Sequence, residues 1–260
     1  MPGIIRPVRP PILMPTRGVG SLAPPYADQG GGTAWAPGKL GANLTLWINE
    51  QALVGSPISA ITNLGSAGGS FTGVGSSRPA RTTINGLPAP LFDGVNNALT
   101  GGPAQNAIMS AGPYSMVAAF KPIALTAVAA TSGWNEPNVL QDAAGGNIYP
   151  IAVVTTGIRS GHFSTIDNQT AVINPPMNVL YVIVVTYDGA TISLTLNGTT
   201  QTVAAAAPAV GVQALILGQS QGGLKVNFAL PEMMFTNRLM TTTEIANARA
   251  YLVNKWGATP

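Results

Sequence analysis

Alternation of apolar and polar positions is the clearest pattern in the chain. Thr191-Ile192-Ser193-Leu194-Thr195-Leu196 repeats with period two, as a half-buried strand does. Asp188-Gly189 and Asn197-Gly198 bracket it, and both dipeptides tolerate the positive φ of tight hairpins. The run before it, residues 180–187, is apolar and β-branched on both faces, which suits a central strand covered twice. Residues 44–48 alternate as well, predicting Leu44, Leu46 and Ile48 on one face and Trp47 on the other. Further strands are predicted at 114–120, at 148–154 and 157–163 joined by Thr155-Thr156, and at 226–235. Residues 91–99, LFDGVNNAL, read as strand, tight turn, strand. Helical period occurs near the end of the chain. Thr241-Thr242-Thr243-Glu244 has the form of a capping box, and Ile245, Ala248, Leu252 and Trp256 then fall on one helical face. Many strands with hairpin turns and one terminal helix predict an all-β, antiparallel two-sheet sandwich, not a βαβ fold.

Residues 1–38 break this pattern. Prolines at 2, 7, 10, 11, 15, 24, 25 and 37 and the run Gly30-Gly31-Gly32 deny the segment both helix and ladder. Its Ile4, Ile5, Val8, Ile12 and Leu13 are too apolar for a solvated linker, and Arg6 and Arg9 lie among them. The expectation is an extended N-terminal arm that docks on a neighbouring subunit through these seven residues, with Trp35 as an anchor. The sandwich is expected to occupy 39–260.

Charged residues make up only 8% of the 260 residues, so neutral polar groups must cover much of the surface. Such a surface offers little charge repulsion, which favours permanent assembly and a homo-oligomer. The net charge of +3 rests on few groups, three of them Arg6, Arg9 and Arg17, and no dense basic face argues for nucleic acid. There is no cysteine, which excludes disulfides and thiolate metal sites. The N-terminus lacks the continuous apolar core of a signal peptide, and no apolar run is long enough to span a membrane.

Four segments, in order, resemble the laminin-G-like or concanavalin A-like lectin/glucanase family found in phage and bacterial proteins. They are the opening strand at Leu44–Trp47, the Phe92-Asp93-Gly94 strand and turn, the hairpin from Tyr187-Asp188-Gly189 to Asn197-Gly198, and the closing strand and helix that ends Lys255-Trp256-Gly257. The resemblance covers about 40–257 and implies a two-sheet jelly roll that binds glycans or protein partners and sometimes holds calcium. Its glycosidases cluster carboxylates on one strand, because retaining hydrolysis needs two about 5 Å apart. The nine acidic residues here are scattered, so hydrolysis is not expected.

Candidate sites are few. Trp134-Asn135-Glu136 offers a flat apolar ring beside polar groups, suited to a sugar, although Trp134 plugging the sandwich is the plainer reading. Asp93 with Asn96 and Asn97 carries oxygen ligands for a weak Ca2+ site, against its plainer role as a turn former. His162, the sole histidine, has no second metal ligand or nucleophile elbow and is expected to make ordinary hydrogen bonds. Trp47 and Trp256 are assigned to the core. No resident cofactor is called for. Together these features predict a non-enzymatic virion protein, with the arm on a capsid or tail neighbour and the sandwich displayed to host glycans. A stand-alone bacterial carbohydrate-binding module is the alternative, with a glycan hydrolase third.

Overall fold

A computed structural model describes residues 35–109, 111–125, 137–142, 148–163, 167–220 and 222–260. The arm residues Ile4, Ile5, Arg6, Val8, Arg9, Ile12 and Leu13, and the loop residues Trp134, Asn135 and Glu136, lie outside the described residues.

The body is the predicted antiparallel two-layer sandwich. One layer is an eight-stranded sheet in the order β14 (Thr199–Ala204), β13 (Thr191–Leu196), β12 (Tyr181–Tyr187), β7 (Tyr114–Ala124), β16 (Asn227–Thr236), β6 (Leu87–Asp93), β5 (Ala80–Ile84), with β1 (Leu44–Ile48) also on β16. The second layer comprises three short sheets. These are β2 (Leu53–Val54), β3 (Ala60–Thr62) and β4 (Ser70–Thr72); β15 (Leu215–Leu217) with β8 (Leu140–Asp142); and β9 (Ile148–Val154), β10 (Gly157–Phe163) and β11 (Asp167–Gln169). Bridges Thr72↔Thr100, Leu99↔Leu217 and Asn138↔Ala152 stitch the three together.

Strand alternation decides what each face buries. Tyr181, Ile183, Val185 and Tyr187 of β12 enter the core between the layers, beside Met116, Ala118 and Phe120 of β7. Val182 and Val184 point the other way and meet Val117, Met234 and the terminal helix α2 (Thr242–Trp256). The central strand is therefore covered on both faces, as its composition predicts. Helix α2 starts at the predicted capping box: Thr241 Oγ1 accepts from Glu244 N at 3.2 Å, and Glu244 Oε2 accepts from Thr241 N at 2.8 Å. It buries Ala248, Leu252 and Trp256 and ends at Gly257, whose φ of 67° makes the left-handed cap.

Three local expectations are corrected. Leu44 does not share a face with Leu46 and Ile48, because the β1–β16 register shifts between Leu44 and Leu46 and turns Leu44 toward the α2 side. The 91–99 segment is not a hairpin. After the turn the chain crosses to the second layer, where Leu99 bridges Leu217 and Thr100 bridges Thr72. A one-turn helix α1 (Gln105–Ile108) also forms; the buried Gln105 side chain donates to Ala209 O and accepts from Gly211 N at 2.7 Å.

Candidate functional site

The turn after β6 is built around one carboxylate. Asp93 Oδ1 accepts from the backbone N–H groups of Val95, Asn96 and Asn97 at 2.8–2.9 Å. Asn97 Oδ1 accepts from Asp93 N, while its Nδ2 donates to the carbonyls of Ser76 and Arg78. Gly94 between them has φ of 72°, and a Cβ there would lie 2.9 Å from the Cβ of Asn227. Partial burial would raise the Asp93 pKa, but the N–H groups of Asn97, Val95 and Asn96 outweigh it and hold the group below its ordinary value. Asp93 Oδ1 and Asn97 Oδ1 are both committed to the loop's own backbone. Asp93 is a turn former here.

Beside this turn lies a groove of about 460 Å³. Apolar Pro57, Leu91 and Ile123 line it together with Arg78, Asp93 and Asn227. Arg78 is steadied by an Nε hydrogen bond to Gly73 O, and Asp93 attracts the half-buried Lys225 from nearby. Aliphatic surface, a carboxylate, a guanidinium and an amide thus converge, a combination that can grip a ligand with both C–H and hydroxyl faces.

His162 lies in the core. Its Nε2–H donates to Ala206 O at 2.7 Å, which leaves Nδ1 to accept from the Tyr114 hydroxyl at 3.3 Å. Its ring stands edge-on to Tyr187, with centroids 4.8 Å apart. Burial lowers its pKa, partly offset by the Ala206 hydrogen bond. Both nitrogens are occupied, as expected for an ordinary structural histidine.

A second polar cluster was not foreseen from the sequence. Glu232 is fully buried on β16 and accepts four hydrogen bonds. Trp47 Nε1 and the Tyr251 hydroxyl donate to Oε1 at 2.7 and 3.2 Å, and Lys255 Nζ and Trp256 Nε1 donate to Oε2 at 2.7 and 2.8 Å. Lys255 also pairs with Glu50 at 2.8 Å. Burial opposes the charge on Lys255, but Glu232's attraction and the hydrogen bonds to Glu232, Glu50 and Tyr251 outweigh it and raise its pKa. Burial, with Glu232's charge added, pushes the Tyr251 hydroxyl up. Both tryptophans therefore carry a polar duty besides packing, and Trp35 covers the cluster edge-on to Tyr251, with centroids 5.8 Å apart. The available signal was a lone glutamate inside the apolar run ALPEMMF, together with Tyr251 and Lys255 four apart on the helix.

These are the two carboxylates that one ammonium brings together, and the arrangement does not suit hydrolysis. Glu232 is inaccessible and both acids are bound to Lys255. Among the described residues no group of three or more His, Cys, Asp or Glu could hold a metal ion, and no helix is long and apolar enough to cross a membrane.

No known sequence family and no curated protein matches the chain. Solved structures do match. Domain 4 of AbnA, a GH43 extracellular arabinanase from Geobacillus stearothermophilus, in complex with arabinotriose, superposes with a TM-score of 0.59 at 16% identity, over 80% of this chain and 98% of that domain. The receptor-binding domain of botulinum neurotoxin type G gives 0.58 at 13%, over 83% and 54%. Trypanosoma rangeli sialidase in complex with the inhibitor DANA gives 0.53 at 12%, over 78% and 32%. The chain thus spans nearly all of the arabinanase domain, about half of the toxin domain and a third of the sialidase. At such low identity the likeness is one of fold: the body is a β-sandwich of the architecture these proteins share.

Proposed function

We propose that this chain is a non-catalytic carbohydrate-binding module whose ligand lies in the groove of Arg78, Asp93 and Asn227. The supporting observation is the match, over 80% of this chain, to an arabinanase domain that was solved with arabinotriose bound. The groove's chemistry agrees, since its polar groups and aliphatic side chains can meet the hydroxyls and C–H faces of a neutral sugar. None of the described residues lining it is aromatic, so affinity should be modest, on the order of millimolar. Titration with arabinotriose and other neutral oligosaccharides, followed by NMR shifts or calorimetry, should show saturable binding that Arg78→Ala weakens about tenfold. Absence of binding to every neutral oligosaccharide at about 10 mM, several times the expected Kd, would remove the reading.

A second reading rests on a different observation, the apolar and proline-rich composition of residues 1–38. In it the arm docks on a capsid or tail subunit and the sandwich acts as a virion decoration or adhesion protein. The two readings are compatible, because one concerns the groove and the other the arm.

A further inference from the structure

The large sheet ends in two edges of different character. At β5, Arg81 sends its guanidinium to the carbonyls of Leu53 and Gly55 at 3.3 and 3.0 Å. A charged side chain on the edge strand is a usual protection against unwanted strand pairing. The opposite edge, β14, has none. Its sequence is Thr199-Thr200-Gln201-Thr202-Val203-Ala204, within a stretch, 160–224, that contains no lysine or arginine and only Asp167 and Asp188 as acids.

The backbone of β14 is also oriented for pairing. Asn197 and Gly198 have φ of 50° and 72°, so they form the two-residue turn in which the flanking Leu196 and Thr199 exchange hydrogen bonds. Such pairs recur at every second residue, here Leu194–Gln201 and Ile192–Val203. The N–H and C=O groups of Thr200, Thr202 and Ala204 therefore point away from β13. All three residues are exposed, and their backbones have no hydrogen bond beyond the strand pairing among the described residues.

We propose that β14 pairs with β14 of a second copy of this chain, antiparallel about a two-fold axis through Thr202. Thr200 then faces the second copy's Ala204, Thr202 faces Thr202, and Ala204 faces Thr200. The facing pairs exchange about six hydrogen bonds, two each. A second copy is favoured over a foreign strand because a two-fold contact must be self-complementary. An uncharged strand of threonine and alanine meets its own image without like-charge repulsion, and threonine pairs across strands are favourable. The pairing joins the two large sheets into one and does not depend on what the groove binds.

Sedimentation of the full chain tests it, using the wild type, Thr202→Pro and the double variant Thr200→Lys, Thr202→Lys. Proline removes an N–H that β13 does not use, and the lysines place like charges beside their own images. The wild type should sediment at twice the 26.5 kDa chain mass. Both variants should sediment at 26.5 kDa with unchanged circular dichroism. A wild-type monomer at about 1 mM, where even weak pairs form, overturns the proposal. So does a dimer that survives both variants, which would place the contact elsewhere.

Discussion

His162 is held between Tyr114 and Ala206 as a neutral ring, and a second proton would leave one nitrogen with no acceptor. Because burial lowers its folded pKa below the ordinary 6.5, the unfolded chain takes up the proton first as pH falls. The stability carried by this site is therefore complete above about pH 6.5 and declines below it until the folded ring also protonates. Melting temperature should fall between about pH 7 and 5, and the His162→Gln variant should show a flatter profile in that window. An equal slope in both proteins would place the acid sensitivity elsewhere. Single residues differ in how plainly the sequence announces them. Asp188 could be read directly, because its two bonds, to Ala190 N and Thr191 N, are local turn chemistry. Glu232 could not, since its partners come from β1 and α2 and only the fold brings them together.

Helix α2 is the element most clearly written in the sequence, because cap, stripe and stop agree. Its stripe also makes the sharpest stability test. Leu252 is fully buried against Val117, Val182 and Met234, so Leu252→Ala should cost about 2–5 kcal/mol, read from a shifted denaturant midpoint. An unchanged midpoint would mean that the helix is not docked. Strands were legible where alternation runs for six or more residues, as in β13. The crossing at 94–100 was not, because Asp-Gly turn chemistry is the same whether the chain returns to its own sheet or passes to the other. The bulge in β1 was hidden for a related reason: a one-residue slip changes which face Leu44 occupies without changing the composition.

At the scale of the whole molecule, the described body closes on its own core, with α2 sealing the outer face of the large sheet. If the arm serves assembly, deleting residues 1–34 should leave the melting temperature of the body within about 2 °C, well inside the shift of one lost core contact. Co-purification with a parent particle should be lost. Equal incorporation of both forms would remove the assembly role, and a much lower melting point would mean that the arm packs on its own sandwich. The groove was beyond sequence reasoning altogether, because Pro57, Asp93, Ile123 and Asn227 meet there from four separate stretches of chain. The buried carboxylate has a consequence for the order in which the fold closes. Glu232 on β16 takes its hydrogen bonds from Trp47 on β1 and from Tyr251, Lys255 and Trp256 on α2. A buried acceptor without its donors is costly, so the outer face of the large sheet can close only when an early strand and a late helix are in place together.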